Sequence, residues 1–89
     1  MANLKTYFDG KALDNRLFVI KINGFERYIH AKTVVLIILG LDYKHQKLVE
    51  KQILKVEKDN GDIYELLEFI AIGFIKSLDI IDSENVIRH

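Results

Sequence analysis

Eighty-nine residues, 49% hydrophobic and 29% charged, are enough for one small core and too apolar for a disordered chain. The absence of cysteine excludes disulfides and thiolate metal sites. Thirteen basic and thirteen acidic residues cancel, which excludes a uniformly basic or acidic body. The distribution is uneven, however. Residues 1–61 hold eleven Lys and Arg against seven Asp and Glu, a net of +4, whereas residues 62–89 hold two against six, a net of −4. Such polarity suits a basic contact surface, head-to-tail association or two solvated faces.

The N-terminus, M-A-N-L-K-T-Y-F, has no apolar run of signal-peptide length, so a cytoplasmic protein is expected. Leu4, Tyr7 and Phe8 precede the turn dipeptide Asp9-Gly10, with Leu13 beyond, and read as a short strand or an ordered lead-in. From Arg16 the pattern sharpens. R-L-F-V-I-K-I is strand-like, Asn23-Gly24 is a two-residue hairpin turn, and F-E-R-Y-I-H returns. That turn sets Ile22 opposite Phe25, Lys21 opposite Glu26, Val19 opposite Tyr28 and Phe18 opposite Ile29. Arg27 then shares a face with Phe25 and Ile29, and needs an edge position or an acceptor.

The uncharged run Thr33–Leu41, T-V-V-L-I-I-L-G-L, has no side that favours water and is expected in the core. It is less than half of the roughly 20 residues that cross a bilayer. Its β-branched residues would suit a buried strand, but its ending favours a helix from about Ala31 to Leu39. Gly40 then falls at the left-handed position after the helix, Leu41 can pack on Leu36, and Asp42 can cap the next helix.

That next helix runs to about Lys58, where Asp59-Asn60-Gly61 breaks it. His45, Val49, Ile53 and Val56 share its apolar face. Opposite them Lys44, Lys47, Lys51, Lys55 and Lys58, spaced 3, 4, 4 and 3 residues, form one stripe. Asp62-Ile63-Tyr64-Glu65 has capping-box spacing and opens a last long helix with a buried stripe of Ile63, Leu67, Ile70, Phe74, Leu78 and Ile81. Phe69, Ile72 and Ile75 lie on its other side, among Glu65, Glu68, Lys76 and Asp79, as surplus apolar surface fit for a partner. The tail from Ile80 reads as a short strand or an extended end. In a rival reading Asn60-Gly61 turns a second hairpin, at the cost of facing Asp59 with Asp62.

Residues that could carry chemistry are sparse. His30, His45 and His89 have no metal-ligand spacing, Ser77 and Ser83 lack a neighbouring histidine or elbow motif, and the glycines form no phosphate loop. A non-enzymatic protein without cofactor or metal is expected. The lysine stripe is the stronger lead, since the order helix, tight turn, lysine-faced helix is that of a helix-turn-helix unit. A lysine row supplies phosphate attraction without the bidentate base readout of arginine.

The run from Tyr28 to Ile53, Y-I-H-A-K-T-V-V-L-I-I-L-G-L-D-Y-K-H-Q-K-L-V-E-K-Q-I, resembles the start of phage Rha-type and related antirepressor regulatory domains. The matching positions are Ala31, Val34, Gly40, His45, Val49 and Ile53. The resemblance implies phage gene regulation and, for some members, DNA binding.

The expected fold is α+β: an N-terminal β-hairpin packed with about three helices around a helix-turn-helix-like centre. The expected function is a small regulator that binds nucleic acid through Lys44, Lys47, Lys51, Lys55 and Lys58. The alternative is a protein-binding inhibitor or adaptor of a phage or mobile element, directed at a host factor or a defence system. A homodimer through Phe69, Ile72 and Ile75 is expected in either case.

Overall fold

The computed structural model describes residues 3–11, 13 and 16–87, with side chains through Leu78. The side chains of Asp79, Ile81 and Ser83, named above, and His89 lie outside what is described. The elements follow in the order α1 (Leu4–Asp9), β1 (Leu17–Ile22), β2 (Phe25–His30), α2 (Ala31–Leu39), α3 (Tyr43–Lys58) and α4 (Ile63–Ile87). The arrangement is α+β, a two-stranded antiparallel hairpin followed by packed helices.

The hairpin register is the expected one, from Ile22 opposite Phe25 to Leu17 opposite His30. Asn23 and Gly24 both have positive φ, 52° and 79°, which is the type I′ geometry whose twist matches the strands it joins. Lys21 and Glu26 face each other at 3.8 Å. Phe18 and Ile20 point into the core, while every residue of β2 except the half-buried Ile29 is exposed. Arg27 is exposed at the edge, its guanidinium 5.8 Å from the centre of the Phe25 ring. The Ala31 amide donates to the Arg16 carbonyl at 2.8 Å, which fixes the start of α2 against the start of β1.

The apolar run is helical, as its ending required, but it is not buried all round. Ala31, Val34, Val35 and Ile38 are in the core, spaced i, i+3, i+4, i+7 as one helix face must be. Leu36 is 69% exposed. The ending is also made differently from the left-handed glycine expected. Gly40 has φ −86° and ψ −5°, and its amide and that of Leu41 continue as tightened bonds to the Ile37 and Ile38 carbonyls, 3.1 Å each. Leu36 therefore has no capping contact to make with Leu41. The unpaired carbonyls at this corner are met from α3, where the Gln46 side-chain amide donates to Leu39 and Leu41, 3.0 Å each. With its carbonyls satisfied this way, the helix has no need of a left-handed cap.

Asp42 caps α3 as expected, its carboxylate accepting the His45 amide at 2.9 Å. The left-handed cap lies instead at the other end of this helix. Asn60 has φ 53°, its amide donates to Glu57 at 3.3 Å, and the Gly61 amide donates to Val56 at 2.8 Å. Those are the two bonds of a Schellman motif, so Asn60-Gly61 ends a helix and turns no second hairpin.

Two segments correct the sequence reading. Residues 4–9 form helix α1 rather than a strand, capped by Asn3 through the Thr6 amide. Leu4 and Phe8, four apart on one face, are buried to 1% and 4% as α1 packs on α2. Helix α4 continues to Ile87, so residues 80–87 are neither strand nor extended. Its buried stripe is Leu67, Ala71 and Ile75, while Phe74 and Leu78 are 36% and 46% exposed. Of the expected row Leu67 is buried and Ile63 and Ile70 are half-buried, but the face is centred further round the helix, on the small Ala71, 1% exposed. At its start the Asp62 carboxylate accepts the Tyr64 amide at 2.9 Å, and the Arg16 guanidinium stacks 3.9 Å from the centre of the Tyr64 ring, tying the hairpin to α4.

The core joins all six elements. Leu4, Val34, Ile38, Ile53 and Leu67 are its most completely buried large side chains, each worth about 1.5–3 kcal/mol.

Candidate nucleic-acid interface

Helix α3 separates its residues by face. Val49 and Ile53 are buried, at 8% and 0% exposure, and Val56 is half-buried. At 100° per residue the five lysines occupy an arc of about 80° opposite that face, and all five are exposed. Tyr43 and Leu54 border the arc on one side and Leu48 on the other, and they are 74%, 52% and 50% exposed. The flanking side chains escaped the sequence reading, although the same helical projection places them there. His45, assigned to the apolar face from sequence, is turned outward with its Nδ1 2.7 Å from Asp42 Oδ1.

The acids of α3 are engaged by specific partners. Glu50 binds Lys47 at 3.1 Å, which raises the pKa of that lysine. Glu57 accepts the Tyr7 hydroxyl at 2.5 Å and the Lys11 ammonium at 3.1 Å. Those hydrogen bonds hold its carboxyl below the usual range, and burial together with the Glu57 bond pushes the Tyr7 hydroxyl up. Asp42 is lowered first by the His45 amide and then by the His45 ring. Lys47 also lies 5.1 Å from the centre of the Tyr43 ring. Lys44, Lys51, Lys55 and Lys58 make no ion pair with any described residue.

The three residues singled out on α4 do not form one patch. Phe69 is exposed, at 68%, but Ile75 is 7% exposed and part of the core. Ile72 is half-buried and lines a groove with Val19, Ile22, Glu68 and Lys76.

No protein-family model, characterised protein or solved structure matches the chain. Of the positions that resemble Rha-type domains, Ala31, Val34, Val49 and Ile53 are all buried; they report how the helices pack rather than what the surface binds. Among the described residues no group of His, Cys, Asp and Glu could hold a metal ion. No helix described is long and apolar enough to cross a membrane.

Proposed function

We propose that this protein is a small, non-enzymatic regulator that acts in the cytoplasm by binding nucleic acid through α3. The observation that carries the reading is the state of the lysines. Four of them stand in line, exposed and without an acidic partner among the described residues, although the chain as a whole is neutral. Glu57 is held by Tyr7 and Lys11, and Glu50 by Lys47 alone, so Lys44, Lys51, Lys55 and Lys58 keep their positive charge for an outside anion. Phosphates meeting such a row release condensed counterions, which makes binding strongly salt-dependent.

Fluorescence anisotropy with labelled oligonucleotides at low and moderate salt tests this. Lys51→Glu with Lys55→Glu should abolish binding while the thermal melt stays where it was. Absence of binding to every oligonucleotide at low salt would remove the reading.

A second reading, a protein-binding inhibitor or adaptor that also self-associates, is favoured by the large apolar side chains on the surface. Phe25, Tyr28, Leu36 and Phe69 are all more than 60% exposed, and exposed aromatic side chains are the usual anchors of protein contacts. Sedimentation equilibrium separates the cases. A strict monomer at high micromolar concentration would eliminate the homodimer, and a dimer dissociated by Phe69→Glu would place Phe69 in its interface.

A further inference from the structure

We infer that the ligand of α3 is a single-stranded polynucleotide lying along the helix, not a duplex with α3 inserted in its groove. This rests on the reading of α3 as a nucleic-acid interface and narrows it.

The argument is the order of side chains around the helix. A helix that enters the major groove points its outermost face at the base edges and its two flanks at the phosphates that wall the groove. Base reading at the outermost face calls for side chains with fixed donor and acceptor patterns, such as Arg, Asn or Gln. In α3 the arrangement is inverted. The outermost face holds lysines only, and the flanks hold Tyr43 and Leu54 on one side and Leu48, followed by the exposed Gln52, on the other. Beyond Tyr43 come Glu50 and Glu57, each already paired with a lysine, so that flank of α3 adds no net positive charge for a phosphate wall. Gln46 is turned inward to the corner after α2, and α3 has no arginine.

A single strand fits the same order of side chains. The lysines rise along the helix in steps of about 4.5–6 Å and cover about 21 Å in all, a near-straight row of cations for a flexible backbone to follow. With phosphates on the row, the bases project sideways over the apolar flanks. Tyr43 has the exposure to act as a stacking platform, 74%, with the Lys47 ammonium 5.1 Å from its ring centre. A row of cations bordered by aromatic and apolar surface is how proteins bind single strands without reading sequence.

The test compares a labelled oligothymidylate of about 15 nucleotides with a duplex of the same length and a phosphatidylserine vesicle. The oligothymidylate should bind at least about tenfold more tightly than the duplex at equal salt. With Lys44, Lys51, Lys55 and Lys58 engaged, its log–log salt slope should be about −3. Tyr43→Ala should weaken binding by about tenfold with the slope unchanged, because stacking releases no counterions. Lys51→Gln with Lys55→Gln should lower the slope by about 1.4; circular dichroism confirms that both variants fold. Duplex binding as tight as that of the single strand would overturn this inference and leave the nucleic-acid reading standing. Binding to the vesicle alone, or to none of the three, would overturn both.

Discussion

Helices α2 and α3 meet at one corner and contribute to one core, yet they teach opposite lessons about what a sequence pattern means. Helix α2 is apolar almost throughout and buries Ala31, Val34, Val35 and Ile38, while Leu36 faces out at 69% exposure. Helix α3 carries seven charged side chains among its sixteen residues and buries only Val49 and Ile53. In both, helical period decides which positions are inside, and hydrophobicity by itself does not. The surplus on α2 is an exposed leucine, whereas the surplus on α3 is a row of cations. Only the second gives the molecule something that acts at a distance in water.

The largest expected effect sharpens this within α2. Ile38→Asp would put a carboxylate into a fully buried site among apolar neighbours, costing several kcal/mol from a stability of about 5–15 kcal/mol. The protein should be unfolded or molten by near-ultraviolet circular dichroism. Leu36→Asp, two residues away, should shift stability by no more than about 0.5 kcal/mol. A large loss from Leu36→Asp would show that the exposed side of α2 is covered by something.

Within α3 the contrast is between its two faces. Ile53→Ala should cost about 2–5 kcal/mol, read as a lower urea midpoint with an unchanged slope. Lys51→Glu with Lys55→Glu should move the midpoint by less than about 0.5 kcal/mol equivalent. If the lysine pair destabilised as much as Ile53→Ala, the stripe would be part of the packing.

The smallest effect concerns how α1 is held to α3. Glu57 has a lowered pKa because it accepts hydrogen bonds from Tyr7 and Lys11. A depressed carboxyl contributes stability that is present above its unfolded value, 4.5, and lost as pH falls through the lower folded value. Thermal midpoints of the parent and Glu57→Gln should therefore differ at neutral pH and converge as the pH drops through that acid window. A constant gap would show that Glu57 carries no ionised contact.

Much of this was legible in the sequence, for reasons that differ by element. The hairpin was readable to the residue because Asn23-Gly24 sets register through backbone geometry alone. Asp42 announced α3 because capping is a local side-chain bond. What failed was whatever depended on the third dimension. Gly40 suggested a left-handed cap, but the corner is closed by Gln46, seven residues beyond the Leu39 carbonyl it binds. The centre of the buried face of α4 was missed because Ala71, buried to 1% exposure, has little hydrophobicity to announce it. Helix α1 is too short to show a period, and its two buried residues alone cannot distinguish helix from strand. For the site, the lysine row was visible as spacing. That Glu57 is turned away from the row depends on Tyr7 and Lys11, which lie about 50 residues away from it in sequence.

The most direct test of the account is to titrate the ¹⁵N-labelled protein with unlabelled oligothymidylate at low salt and map the amide shifts by NMR. The account predicts perturbations concentrated between residues 43 and 58, strongest beside Tyr43, Lys51 and Lys55, with the amides of β2 and the Phe69 region unmoved. Shifts centred on Phe25, Tyr28 or Phe69 with α3 silent, or no shifts at all, would contradict it.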